Sequence, residues 1–184
     1  MKLVVGIGGA SGSLYGVRLV EELHKAGVDI HLIFSSGGTR ILEHETALSA
    51  EDLYKKATKW YRNDDLFAGP ASGSFRVDGM IIAPCSMKTL SAVATGYGDT
   101  LMSRAASCCL KEHKKLVLVL RETPLDLPSL RNMVVAAESG AVILPAMPGF
   151  YHRPSTIDDM VDFVVGKILD QFSIDHSLFK RWKG

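Results

Sequence analysis

The chain has 184 residues, 47% hydrophobic and 22% charged, with a formal net charge of +1; this is the size and balance of one globular unit with a buried core, and a single domain over residues 1–184 is expected. Lys and Arg are spread along the chain instead of massed, which argues against nucleic acid as a partner. No apolar run approaches bilayer-spanning length and Leu3 to Ile7 is too short for a signal-peptide core, so no membrane contact and a cytoplasmic location are expected.

The first element is the short apolar run Leu3 to Ile7, which ends in Gly8-Gly9-Ala10-Ser11-Gly12 and reads as a buried parallel strand followed by a tight turn. A helix follows, with Tyr15, Leu19, Leu23 and Ala26 on its apolar face, Arg18, Glu21, Glu22 and Lys25 facing outward, and Gly27 as its stop. Further strand-like runs occur at Ile30 to Phe34, Met80 to Pro84, Leu116 to Leu120 and Ala141 to Pro145, making five strands in all. Trp60 to Phe75, with Asn63-Asp64-Asp65 and a Gly- and Ser-rich stretch, reads as one long loop of the kind that often carries function. The last helix keeps a 3.6-residue period from Ile157 to Phe172 behind Ser155. Strand and helix in alternation predict an α/β fold, a single doubly wound, Rossmann-like parallel sheet flanked by helices.

In such sheets ligands sit outside the carboxyl ends of the strands. Those positions hold Gly9-Ala10-Ser11-Gly12, Ser35-Ser36-Gly37-Gly38, Ser86-Met87-Lys88-Thr89, Arg121-Glu122 and Pro148-Gly149-Phe150-Tyr151. Small hydroxyls and glycines at helix starts suit a phosphate, although a glycine turn serves plain strand-to-helix packing equally well. An NAD-binding domain would place Asp or Glu at the end of the second strand; Ser35 and Ser36 stand there instead, which favours a mononucleotide such as FMN.

Arg104 and Lys111, seven residues apart in the helical segment Thr100 to Glu112, share a face and either clamp a phosphate or are solvated charges. Arg121 and Glu122 at a strand end are either an acid–base site or a structural ion pair. The six histidines show no metal-ligand spacing, so metal-independent chemistry is expected, and the three cysteines read as small buried thiols. There is no G-x-S-x-G elbow to support a serine hydrolase.

These motifs, with Pro84-Cys85-Ser86-Met87-Lys88-Thr89-Leu90, Arg104-Ala105-Ala106, Leu110-Lys111-Glu112 and Arg121-Glu122-Thr123-Pro124-Leu125, resemble the UbiX/Pad1 flavin prenyltransferases over nearly the whole chain. The resemblance implies that FMN is held by Gly9, Ala10, Ser11, Ser35, Ser86, Met87, Lys88, Thr89 and Arg121. It implies that dimethylallyl phosphate is bound by Arg104, Lys111, Tyr151 and Lys167, with Glu122, Lys111, Glu45 and Ser11 as catalytic groups. The implied reaction joins a dimethylallyl group to N5 and C6 of reduced FMN; the prenylated FMN passes to a UbiD-type decarboxylase, and the enzyme works as a dodecamer. Two positions depart from the family: Gly8, often Ser or Thr, and Ser107, commonly Asp. Loss of a hydroxyl at position 8 is expected to loosen contacts to the flavin phosphate. The competing readings are an FMN-dependent cysteine-type decarboxylase, whose P-A-S-A-N-T stretch is replaced here, and a non-catalytic FMN-binding decarboxylase subunit.

Overall fold

Six strands, one more than the apolar runs suggest, make a sheet in the order β3-β2-β1-β4-β5-β6, and every adjacent pair is parallel. The computed structural model describes residues 1–182. The strands are β1 (Lys2–Ile7), β2 (Asp29–Phe34), β3 (Lys59–Arg62), β4 (Gly79–Cys85), β5 (Lys115–Leu120) and β6 (Ala141–Pro145). Between and after them run α1 (Ser13–Lys25), α2 (Ser36–Glu45), α3 (Ala50–Tyr54), α4 (Met87–Thr95), α5 (Leu101–Lys111), α6 (Leu127–Glu138) and α7 (Ile157–Gln171).

The added strand, β3, opens the stretch expected to be loop. It pairs with β2 at the sheet edge, and of its four residues Tyr61 alone is buried, so it lacks the continuous apolar run of the inner strands.

Period-two alternation splits the strands between two cores. Leu3, Val5 and Ile7 face one core with α1 and α7, while Val4, Met80 and Ile82 face the other with α4 and α5. In α7, Val164, Val165, Ile168 and Leu169 are almost wholly buried, each contributing about 1.5–3 kcal/mol of transfer free energy. The helix starts at Ile157, where its pattern does, but Thr156 and not Ser155 is the N-cap, in a capping box with Asp159, and Ser155 adds bonds to the same carboxylate. Arg18 of α1 holds Asp162 of α7 through Nε at 2.6 Å and Nη2 at 3.2 Å, fixing the two helices side by side. Ala26, expected on the apolar face of α1, is instead its exposed C-cap, and Gly27 turns the chain with φ +68°.

Candidate active site

The carboxyl ends of β1 to β4 open onto a cleft of about 460 Å³ beside the β1/β4 boundary, where the strand order reverses. Gly9 follows β1, Ser35 to Gly37 follow β2, Asn63 follows β3, and Ser86, Lys88 and Thr89 follow β4, all lining this one space. Five of the residues expected at flavin are thus neighbours: Gly9, Ser35, Ser86, Lys88 and Thr89.

Three helices begin at the cleft. Ser35 Oγ caps α2 by accepting from the Gly38 amide at 2.9 Å, and Ser86 Oγ caps α4 by accepting from the Thr89 amide at 3.3 Å. The start of α5 is closed off: the Asn63 carbonyl accepts from Leu101 N at 2.7 Å, and its side-chain oxygen accepts from Met102 N at 2.9 Å. At α2 and α4 the amides of Ser36, Gly37, Met87 and Lys88 have no protein acceptor among the described residues. Two positive helix ends and the Lys88 side chain therefore converge on the space, a donor set that fits the phosphate of FMN.

The glycine turn after β1 is tied down from two sides. Gly12, at φ +99°, is the N-cap of α1 and has no side chain to cap it. Glu45, in the last turn of α2, does so: its carboxylate accepts from Gly12 N at 3.0 and 3.1 Å, Ser13 N at 2.8 Å and Ser13 Oγ at 2.7 Å. Burial alone would push this carboxyl up, but hydrogen bonds from Ser11, Ser13 and Gly12 hold it below its ordinary range. From the other side Arg121 Nε donates to the Ser11 carbonyl at 3.0 Å, and its two Nη groups have no acceptor among the described residues. Beside it Glu122 is exposed at the end of β5. Ala10 is buried inside the turn, and half-buried Met87 packs on the second core.

Arg104 and Lys111 do share one face of α5, but it is turned to the loop at Ala71 to Gly73. Arg104 Nε donates to the Ala71 carbonyl at 3.1 Å, while Lys111 stands against Gly73 and pairs with Glu112 at 2.6 Å. The first turn of α5 lines the cleft and Lys111 ends the helix, so roughly 15 Å of rise separates them. Within one chain the shared face of Arg104 and Lys111 is thus turned to this loop and not to the strand ends where Glu122 lies; spacing along a helix gives a shared face, not the end of the sheet it meets. Tyr151, after the edge strand β6, lies edge-on to Phe163 and Trp182, and Lys167 on α7 pairs with Asp170 at 3.4 Å.

Asn63 is the cleft residue that sequence reasoning placed in a loop without a role. All three cysteines are free and buried, and burial pushes Cys85 and Cys109 up to about 12. Among the described residues no group of three or more His, Cys, Asp or Glu could hold a metal ion, and no helix is long and apolar enough to cross a membrane.

A parallel sheet in this order with an anion-ready cleft at its switch point defines a nucleotide-binding α/β protein. Residues 1–169 match the Flavoprotein family model. The chain is 53% identical over 184 residues to the flavin prenyltransferase UbiX of Thauera aromatica, covering all of this chain and 95% of that relative. It belongs to the flavoprotein family and, within it, to the UbiX-type flavin prenyltransferases. A dodecameric FMN-dependent UbiX-like decarboxylase from Escherichia coli superposes with TM-score 0.98 at 45% identity, covering 100% of both chains. A UbiX protein solved with FMN and dimethylallyl pyrophosphate gives TM-score 0.98 at 42% identity over 100% of this chain and 97% of that one. An FMN-dependent cysteine decarboxylase, at 17% identity and TM-score 0.65 over 77% of this chain and 88% of that one, shares the fold alone.

Proposed function

We infer that this chain transfers a dimethylallyl group from dimethylallyl phosphate to reduced FMN and releases prenylated FMN. The observation that carries the reading is the phosphate-ready cleft at the β1/β4 switch point in a chain so close in sequence to flavin prenyltransferases. Reduced FMN would supply two nucleophilic ring atoms for different carbons of the dimethylallyl group: N5 for the carbon that loses phosphate, and C6, which gives up its proton, for the ring-closing bond.

The amides of Ser36, Gly37, Met87 and Lys88 grip the flavin phosphate, with Gly9, Ala10, Ser35, Ser86 and Thr89 shaping the space around it. Arg121, steadied by the Ser11 carbonyl, offers its free Nη groups to an anion. Glu122, exposed next to it, is placed to give a proton to the departing phosphate. Tyr151 and Lys167 bind the donor phosphate from the β6–α7 side. Glu45 acts by holding Ser11 to Ser13 in place, a job that uses both of its oxygens.

Arg104 and Lys111 look away from their own cleft, so in this reading they serve the cleft of a neighbouring copy, and the working enzyme is a dodecamer like the UbiX-like relative. The product goes to a UbiD-type decarboxylase. A cytoplasmic location fits a chain whose three cysteines are free. The test is anaerobic incubation with reduced FMN and dimethylallyl phosphate followed by mass spectrometry of the flavin. One added dimethylallyl unit is expected; bound flavin of unchanged mass would overturn the reading.

A further inference from the structure

Asp170, at the end of α7, is the hub of a charge cluster of which the proposed reaction uses Lys167 alone. Arg181 grips its carboxylate in a fork, Nη2 to Oδ1 at 2.7 Å and Nη1 to Oδ2 at 3.2 Å. His176 Nε2 reaches Oδ1 at 3.2 Å, and its Nδ1 accepts from the Leu178 amide. Lys167 is the loose member, with one contact at 3.4 Å and almost half of its side chain exposed.

The tail that brings these groups back is seated along α7. Phe179 and His176 lie against Gly166, Phe179 packs on Phe163, and Trp182 meets Tyr151 edge-on. It therefore reaches both residues assigned to the donor phosphate from this side: Tyr151 directly, and Lys167 through Asp170.

The charges decide what the arrangement does. Lys167 and Asp170, three residues apart on one helix, would form an ordinary surface pair of zero net charge. Arg181 takes both carboxylate oxygens in the bidentate geometry that binds most strongly. Arg181, Asp170 and Lys167 together then carry one net positive charge, and it lies on the ammonium left with the weaker contact. The carboxyl is held down at about 2, with Arg181 the largest cause, ahead of His176 and Lys167.

We propose that Arg181 is a positioning residue: by occupying Asp170 it leaves the Lys167 ammonium available to the donor phosphate. The proposal rests on the reading that Lys167 binds that phosphate. Without Arg181 the carboxylate swings fully onto Lys167 and neutralises it, although Arg181 itself touches no substrate.

The test uses the full chain with reduced FMN and measures KM for dimethylallyl phosphate, kcat and FMN affinity for Lys167→Ala, Arg181→Ala, Asp170→Asn and the double variant Arg181→Ala/Asp170→Asn. Arg181→Ala is expected to raise KM about tenfold with FMN affinity unchanged, the scale of one partly screened charge. Asp170→Asn should keep KM near wild type, and the double variant should return to the Asp170→Asn value, because the competing carboxylate is gone. A purely structural role for Arg181 would not be rescued by removing its partner. A double variant as impaired as Arg181→Ala alone, or an Arg181→Ala enzyme with unchanged KM, overturns the proposal. Unchanged KM in Lys167→Ala instead removes the reading beneath it.

Discussion

A methyl group at position 8 would lie 2.5 Å from the Pro84 carbonyl oxygen, well inside contact distance, because the Gly8 amide donates to that same oxygen at 3.0 Å. The β1 and β4 ends therefore approach closely at Gly8, and a side chain there, such as the Ser or Thr often found in the family, needs them to part. Gly8→Ser should cost about 1–3 kcal/mol, read as a lower melting temperature without flavin; an unchanged melting temperature would mean that the two strand ends part freely. Glu45 makes the complementary case. Glu45→Ala strips the acceptors from the start of α1 and should cost about 1–3 kcal/mol at neutral pH. Its folded pKa lies below the ordinary 4.5, so its stabilisation is complete above that value and fades as pH falls through the lower, folded one. Urea unfolding of wild type and Glu45→Gln should converge as pH falls below that folded value; a gap independent of pH would argue that the carboxylate charge is not what holds the turn.

At the scale of elements, β3 and α5 are linked by one side chain. Asn63, the residue after β3, accepts from two amides at the start of α5 and takes the place of any ligand there, so the edge strand determines which helix ends stay free for an anion. Asn63→Ala should lower stability by about 1–2 kcal/mol and free the Met102 amide; amide hydrogen exchange should show loss of protection at Met102, while Leu101, which donates to the backbone carbonyl of residue 63, and the starts of α2 and α4 are unaffected. This link explains what could be read in advance and what could not. The other five strands are continuous apolar runs and the strand-end turns follow them directly, so Gly9, Ser35 and the Ser86 to Thr89 segment were legible as neighbours. β3 was not, since Lys59, Trp60 and Arg62 are exposed, and the Asn63 cap spans 39 residues that no local pattern connects. Helical spacing placed Arg104 and Lys111 on one face, but only the packing of α5 against the Ala71 to Gly73 loop reveals where that face looks.

The whole molecule turns on that orientation. Within one chain Glu122 follows the carboxyl end of β5, whereas Lys111 ends the helix that leads back to the start of the same strand, so the two lie at opposite ends of the sheet. A site that uses both must draw them from different copies, through head-to-tail contacts that a closed assembly repeats. Glu122→Gln and Lys111→Ala enzymes should each be nearly inactive alone. Co-assembled in equal amounts, about a quarter of the sites pair an intact Glu122 with a neighbour's intact Lys111, so roughly that share of wild-type prenylation should return. Simple mixing of assemblies that do not exchange subunits should restore nothing, which ties any recovery to sharing between chains. If co-assembled hybrids stay inactive while each still binds FMN, the site is completed inside one chain by a rearrangement of α5, and the division of labour between copies is wrong.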